Sequence, residues 1–241
     1  MPASDAVARI AMIHALEESV APAREAFAQG WPEAFAYDLL DTSLAVDRAD
    51  AGRLDDGMVA RFHTLADYVA AHGGRGGRTA GILFTCSAFG PAIDAVKARA
   101  AIPVLRPNEA AFETALRAGD RIGLVVSFEP SRLSLEQELH AMAAAQGREV
   151  TVVSAVAAGA LEALKAGDGE RHDALVAEAA AGLGEVDAVV LGQFSLARAH
   201  GRTALATAAP VITTPGSAVA ALRAAVLARR ALPEGQDPHR A

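Results

Sequence analysis

The single cysteine of the chain, Cys86, lies in the stretch GILFTCSAFGPAID, where an apolar run stops and a helix-like stretch begins. Ligands bind at the carboxyl ends of parallel strands, so a thiol at this place can serve as a nucleophile or as an acid–base group. Thr85 and Ser87 flank it with hydroxyl groups, and Pro91 suits the first turn of the next helix. The partial positive charge of a helix N-terminus favours thiolate. We therefore predict a functional Cys86 and not merely a small buried packing residue.

Short apolar runs alternate along the chain with longer, alanine-rich amphipathic stretches. This alternation predicts an α/β fold in which parallel sheets are covered by helices on both faces. The predicted strands are 9–14, 35–41, 81–85, 103–105, 121–127, 150–154, 188–192 and 210–213. The predicted helices are 17–29, 54–72, 91–100, 109–118, 131–146, 156–166, 170–183 and 216–230. Loops are predicted for the glycine-rich stretch 73–81 and for the charged stretches 47–56 and 167–173.

The two halves of the chain resemble each other. ILFTCSAFG (82–90) aligns with VVLGQFSLA (189–197), and AIPVLRPNEA (101–110) aligns with AAPVITTPGS (208–217), both at an offset of 107 residues. Because two neighbouring strands share one offset, we predict a duplicated fold with two similar halves. This alignment makes Gln193 the counterpart of Cys86.

Several classes of protein are disfavoured. A formal charge of −7 argues against a nucleic-acid surface, and no apolar run is long enough to predict a membrane helix. The sequence lacks a G-x-S-x-G elbow, a phosphate loop and an H-E-x-x-H pair, so it offers little support for a hydrolase elbow, a nucleotide site or a metal. One cysteine cannot form an intrachain disulfide, and no signal peptide is apparent. We expect a cytoplasmic protein without membrane or nucleic-acid partners.

Other polar residues follow the predicted strands and are candidates for substrate binding. His14 ends the first strand and can orient or deprotonate Cys86, or be a structural histidine. Ser87 can bind a carboxylate with its hydroxyl and backbone N–H, or cap a helix. Gln193 can donate a hydrogen bond to the substrate. The remaining candidates for substrate contact are Thr85, Asn108, Ser127, Ser195 and Thr214.

The order of the stretches LFTCSAFGPAID, IPVLRPNEA, VVLGQFSLA and APVITTPGSA resembles the aspartate/glutamate/hydantoin racemase superfamily, over about residues 8–225. This superfamily includes maleate isomerases and arylmalonate decarboxylases. The resemblance implies two pseudo-symmetric lobes, each a parallel sheet flanked by helices. It also implies no cofactor, a homodimer, and a small carboxylate substrate in a cleft between the lobes. The last helix would return to the first lobe, which predicts lobes of 1–108 plus 217–241 and of 109–216.

One departure from the family pattern decides the expected chemistry. In two-thiol members a cysteine ends the third strand of each half, and the two thiols act on opposite faces of the α-carbon. Cys86 matches the first position, whereas Gln193 stands at the second and cannot act as an acid or base at ordinary pH. The expected function is cysteine-dependent proton transfer at the α-carbon of a small carboxylate, as in a racemase or isomerase.

Three mechanisms and one non-catalytic role remain open at this point. Cys86 can act as a one-sided acid in the decarboxylation of a malonate-type acid, which needs a single protonation. It can act as a nucleophile in an isomerase-like or hydrolytic reaction. Another group, such as His200 or Glu129, can replace the missing thiol. Alternatively, the chain can be a small-molecule binder that kept the fold and lost the activity.

Overall fold

A computed structural model describes residues 7–231, and the chain divides into two compact units. The first unit comprises the described residues up to Pro107 together with those from Ala218 onward, and the second is Asn108–Ser217. Each boundary lies one residue from the predicted one.

Nine strands and ten α-helices are present among the described residues. The strands are β1 (Arg9–His14), β2 (Phe35–Leu40), β3 (Gly73–Gly74), β4 (Gly77–Phe84), β5 (Val104–Leu105), β6 (Arg121–Val126), β7 (Thr151–Val156), β8 (Ala188–Leu191) and β9 (Val211–Thr213). The helices are α1 (Val20–Gly30), α2 (Ser43–Ala51), α3 (Asp56–Ala71), α4 (Gly90–Arg99), α5 (Glu109–Ala118), α6 (Glu129–Ala145), α7 (Ala160–Lys165), α8 (Gly169–Ala181), α9 (His200–Ala206) and α10 (Thr214–Arg230). No helix in the described part of the chain has the length and apolar character needed to cross a membrane.

The two units share one sheet topology. In the first unit the parallel strands run in the order β2-β1-β4-β5, and β3 adds an antiparallel pairing at the start of β4. In the second unit the order is β7-β6-β8-β9, again all parallel. This equivalence confirms the predicted α/β fold with two pseudo-symmetric lobes.

Burial explains why these runs form strands. The central strands β1 and β8 are buried almost throughout, as expected for parallel sheets with helices on both faces. In the first unit Phe62 stacks near Phe84 and Phe89, with ring centroids 5.2 and 4.9 Å away. In the second unit alternate residues of β6 enter two different clusters, Leu124 on one face and Val125 on the other.

Tertiary contacts override the loop predictions in two places. The glycine-rich stretch forms a β3–β4 hairpin, in which Gly76 and Gly77 have φ of +84° and +81°, a conformation that suits glycine. The charged stretch 47–56 contains the end of α2, a helix that was not predicted. Helices α3 and α8 begin within two residues of the predicted starts at 54 and 170. The Asp168 side chain accepts from the backbone N–H of Arg171 and caps α8. Helix α9 was not predicted either.

Candidate active site

Cys86 lies two residues beyond the carboxyl end of β4, a central strand of the first sheet. Its backbone is extended (φ −117°, ψ 119°), and it precedes a 3-10 helix, Ser87–Phe89, that leads into α4. The residue is partly exposed, and it also packs against the phenylalanine-rich core of its unit. The Cys86 side chain therefore lies in a largely apolar environment.

The ionisation of Cys86 differs from the sequence-based expectation. Burial raises the pKa of its thiol above the ordinary 9.0, and the Ala88 backbone N–H, which bonds the sulfur, offsets this only in part. Helix α4 begins four residues later, at Gly90, so its N-terminus lies beyond the 3-10 turn. Burial therefore favours the protonated thiol, whereas the sequence predicts a thiolate at this position.

His14 ends β1 and is completely buried. Its Nε2 lies 3.0 Å from Oδ1 of Asp38, and because a carboxylate only accepts, Nε2 carries the proton. The other nitrogen, Nδ1, then accepts from the hydroxyl of Thr85 at 2.9 Å. Burial lowers the pKa of His14, although Asp38 opposes this effect. His14 is therefore a neutral imidazole.

These contacts define what His14 can do. Both ring nitrogens bond residues other than Cys86, so the predicted deprotonation of the thiol by His14 has no geometric basis here. The Thr85 hydroxyl is buried and lies 3.0 Å from the Ser19 hydroxyl, so its hydrogen bonds are made within this network. Arg24 completes the network by donating to the outer oxygen of Asp38 at 2.7 Å. His14 and Thr85 are thus placed to position the backbone that carries Cys86.

Asp38, Ser19 and Arg24 were missed from the sequence. Asp38 lies within β2, beside Met12 of β1, and looked like an interior strand residue. The polar residues that follow β2 serve another purpose. Asp41 accepts from the Ser43 hydroxyl at 2.6 Å and from Arg61 at 2.8 Å, which fastens the start of α2 to α3.

Gln193 holds in the second unit the place that Cys86 holds in the first. It lies two residues beyond β8, is extended (φ −135°, ψ 147°) and precedes the 3-10 helix Phe194–Ala199. Its side-chain oxygen Oε1 accepts from the backbone N–H of Ser127 at 2.6 Å and from the Ser127 hydroxyl at 2.9 Å. Because a backbone N–H can only donate, the atom facing it must be the oxygen. The amide NH₂ of Gln193 is therefore turned away from Ser127 as a fixed donor.

Asn108 and Thr214 follow β5 and β9, and both are buried. The amide oxygen and nitrogen of Asn108 and the hydroxyl of Thr214 bond no other group in the described part of the chain. Asn108 precedes α5 but its side chain makes no capping hydrogen bond, so a helix cap does not explain it. Buried polar groups without partners are costly and uncommon, and contact with a polar ligand is one explanation for them.

The other candidates occupy less constrained positions. Ser87 begins the 3-10 helix after Cys86, is partly buried, and caps neither helix that follows. Ser195 is partly buried in the 3-10 helix after Gln193. His200 is exposed at the start of α9. Glu129 is exposed at the start of α6, where the Arg132 guanidinium bonds it and lowers the pKa of its carboxyl, so it is a poor substitute for a thiol acid.

Metal binding has no visible basis in the described residues, which nowhere gather three or more histidine, cysteine, aspartate or glutamate side chains in a suitable group.

Several solved structures share this two-unit fold. It is similar to that of Picrophilus torridus aspartate racemase (TM-score 0.68, 14% identity, 91% of this chain and 94% of that chain). It is also similar to allantoin racemase from Pseudomonas fluorescens (TM-score 0.65, 17% identity, 93% and 92%) and to a mutant of arylmalonate decarboxylase (TM-score 0.62, 15% identity, 90% and 93%). Among curated proteins none matches the chain. The sequence model of the Asp/Glu/Hydantoin racemase family matches residues 11–222. The chain therefore belongs to the Asp/Glu/hydantoin racemase family.

Proposed function

We propose that this protein is a cofactor-independent enzyme that transfers a proton at the carbon next to a carboxylate of a small substrate, with Cys86 as the acid–base group. The observation that carries this proposal is the asymmetry between the two units. The same position, after the third parallel strand along the chain in each unit, holds a titratable thiol in one unit and an amide in the other. Inversion of a carbon centre by two groups needs an acid or base on each face, and this chain has one such thiol.

This asymmetry favours one-sided protonation over two-base racemisation. A protonated thiol with a raised pKa is suited to give a proton to a carbanion-like carbon, and it is a weak nucleophile in that state. The nucleophilic alternative for Cys86 is accordingly less well supported. Decarboxylation of a malonate-type acid is the family reaction that needs only one protonation, so it is our preferred reaction.

The proposed step balances as follows. The bond between the α-carbon and one carboxylate breaks, and its electron pair stays on the α-carbon as an enediolate while carbon dioxide leaves. The S–H proton of Cys86 then moves to the α-carbon. The resulting thiolate takes a proton from water, which restores the enzyme without a cofactor.

Gln193, Asn108 and Thr214 are proposed contacts of the retained carboxylate. The amide NH₂ of Gln193, held by Ser127, is a neutral donor for a carboxylate or enediolate oxygen. The partner-free polar atoms of Asn108 and Thr214 add a donor and acceptor of the same kind. Ser87 and Ser195 remain proposed substrate contacts on the strength of their position alone.

The test is a reaction in deuterium oxide with aryl- and alkylmalonates, aspartate, glutamate, hydantoins and maleate, followed by mass and chirality. Wild type should release carbon dioxide from a malonate and give a single enantiomer of the product with one deuterium at the α-carbon. Cys86→Ala should give neither carbon dioxide nor deuterated product. Deuterium uptake with loss of chirality in an amino acid would instead support a racemase. Ligand-dependent stabilisation without any turnover would support the non-catalytic binder.

The implied homodimer and cytoplasmic location stay predictions, and sedimentation tests the first of them.

A further inference from the structure

The unit that carries the thiol also carries a buried pair of polar residues whose counterparts in the other unit have no polar side chain. His14 and Thr85 come directly after the last pair of residues that joins β1 to β4, and both are buried. Val126 and Gly192 come directly after the last pair that joins β6 to β8, the equivalent strands of the second unit. Valine and glycine cannot replace a ring nitrogen or a hydroxyl group. The hydrogen bond between His14 and Thr85 therefore accompanies the thiol and not the amide.

Asp38 of β2 and Ser154 of β7 occupy equivalent places in the two sheets, each opposite the fourth residue of the neighbouring central strand. The Ser154 hydroxyl donates to the carboxylate of Glu136 on α6, so this contact joins a strand to a helix. Asp38 also joins a strand to a helix, through Arg24 of α1, but its other oxygen lies 3.0 Å from the ring of His14. A contact that only fastens a helix to a strand does not need this second bond.

Arg24 and Asp38 together fix which nitrogen of His14 carries the proton. A guanidinium group only donates, and it bonds Oδ2 of Asp38, so Oδ1 is the oxygen that meets the imidazole. The Nε2–H donates to this oxygen, and Nδ1 is left as an acceptor. The Thr85 hydroxyl, 2.9 Å from Nδ1, donates to it. The carboxylate thus sets the direction of the Thr85 hydrogen bond through the imidazole ring.

Thr85 is the residue directly before Cys86, so the contacts of Thr85 constrain the backbone that carries the thiol. Its backbone N–H donates to the carbonyl oxygen of Ile13 at 3.1 Å, which holds this segment against β1. On the other side the sulfur accepts from the backbone N–H of Ala88. The place of the thiol is therefore defined by contacts on both sides of it along the chain.

We propose that Asp38 is a positioning residue for Cys86, which acts through His14 and Thr85 to hold the thiol in its largely apolar place. His14 and Thr85 are buried, so water does not readily replace a lost hydrogen bond between them. This inference rests on the proposed role of Cys86 as the proton donor. Its main readouts are therefore chosen so that they need no substrate.

Asp38→Asn should reverse the tautomer of His14 with a side chain of almost the same shape. Arg24 only donates, so it keeps the amide oxygen of the new side chain, and the amide NH₂ then faces Nε2. Nε2 must accept and Nδ1 must carry the proton, so Thr85 loses its acceptor. Nitrogen-15 NMR of the imidazole ring reads the tautomer, which should be Nε2–H in wild type and Nδ1–H in Asp38→Asn. The same tautomer in both proteins would overturn the inference.

The pH profile of Cys86 alkylation by iodoacetamide tests the step from the histidine to the thiol. Burial raises the pKa of this thiol above 9.0, so a displaced thiol should titrate closer to that value. Asp38→Asn and Thr85→Val should both move the midpoint of the profile down toward 9.0, and should lower turnover about tenfold or more through misplacement of the thiol. Thr85→Val changes no charge, so a shift in this variant is not an effect of the lost carboxylate. Thr85→Ser keeps the hydroxyl and should keep the wild-type midpoint.

A double variant and a control from the second unit complete the test. Because Asp38 acts through Thr85, Asp38→Asn combined with Thr85→Val should shift the midpoint no further than either change alone. Ser154→Ala breaks the equivalent strand–helix contact of the second unit and should leave the midpoint and the turnover unchanged.

Wild-type midpoints in both Asp38→Asn and Thr85→Val, or additive shifts in the double variant, would overturn the inference. If Asp38→Asn does not fold, the contrast between Thr85→Val and Thr85→Ser decides the outcome, since equal midpoints in these two variants contradict a role for the hydroxyl. Absence of turnover in wild type would contradict the proposed function alone, because the tautomer and the alkylation profile are measured without a substrate.

Discussion

Cys86 and Gln193 occupy equivalent positions in the two units, each the extended residue between a buried parallel strand and a 3-10 helix. One carries a proton that it can give up, and the other carries an amide that is held by Ser127. The two units therefore hold two chemically different side chains in the same backbone conformation. Substitutions at the two positions should accordingly have different chemical consequences.

Removal of the thiol should abolish catalysis and leave the fold intact. Cys86→Ala and Cys86→Ser should each lower turnover at least about a hundredfold, since a general acid contributes that much or more. The residue is only partly buried, so the melting temperature should change little. Carbon dioxide release and deuterium incorporation provide the measurement. Turnover near the wild-type rate in both variants would exclude Cys86 as the proton donor.

A second thiol should change the stereochemical outcome. Gln193→Cys places a titratable group at the equivalent position of the second unit, so it should let the enzyme exchange the α-proton and racemise its chiral product. Gln193→Ser is the matched control, because serine is similar in size to cysteine but has no acidic proton at neutral pH. Chiral chromatography of the product in deuterium oxide makes the comparison. Equal racemisation by wild type would mean that another residue, with His200 and Glu129 first to test, already supplies the second group.

Removal of the buried polar groups of Asn108 and Thr214 should weaken ligand binding, and for Thr214 it should also stabilise the fold. Thr214→Val removes a buried hydroxyl that has no partner among the described residues, so it should raise the free energy of unfolding by about 1 kcal/mol. The same change, and Asn108→Leu, should weaken the binding of a product carboxylate.

Thr203→Val is the control for this pair. Thr203 is a second buried threonine whose hydroxyl bonds no described residue, and it lies in α9 outside the candidate site residues. It should stabilise the protein to a similar extent without altering turnover. Loss of activity in Thr203→Val equal to that in Thr214→Val would remove the argument for a ligand contact at Thr214.

The buried His14 should make stability depend on pH. Burial lowers the pKa of His14 below the ordinary 6.5, so between 6.5 and the lowered pKa the unfolded chain binds a proton that the folded chain does not. The free energy of unfolding should consequently fall as the pH falls through this window, and level off below it. Chemical denaturation at a series of pH values measures the slope.

His14→Gln should be less stable at neutral pH, because it breaks the contacts to Asp38 and Thr85, but the slope in this window should be shallower. An unchanged slope in His14→Gln would show that another group titrates.

Alkylation should report the raised pKa of Cys86. Because only the thiolate reacts, iodoacetamide should modify the folded protein more slowly at neutral pH than it modifies the unfolded chain. The rate should continue to rise with pH above 9.0, the ordinary pKa of the thiol. Fast modification at neutral pH would indicate a thiolate and would support the alternative mechanism in which Cys86 is a nucleophile. Slow modification does not by itself identify a non-catalytic binder, since a proton donor behaves in the same way.

Local pattern was enough to predict most elements of the fold. The apolar run at β1 and the helix α5 are found at the predicted residues, because both are short segments whose periodicity matches their burial. The charged stretch after Asp41 was predicted as a loop, yet it contains part of α2. That helix buries only Leu44, and the contacts of Arg61 with Asp41 and Asp47 hold it in place. Contacts between residues this far apart in the chain leave no periodic signal.

The sequence by itself determined the fold class, the duplication and the identity of the residue that distinguishes this chain, since a glutamine aligned with a cysteine is visible in the letters alone. Only the tertiary structure decided the burial, the hydrogen bonds and the pKa shifts of those groups. Burial raises the pKa of Cys86 and outweighs any effect of a helix N-terminus. The pairing of neighbouring strands brings His14 to Asp38. These properties depend on distance and desolvation in space, which the order of residues does not specify.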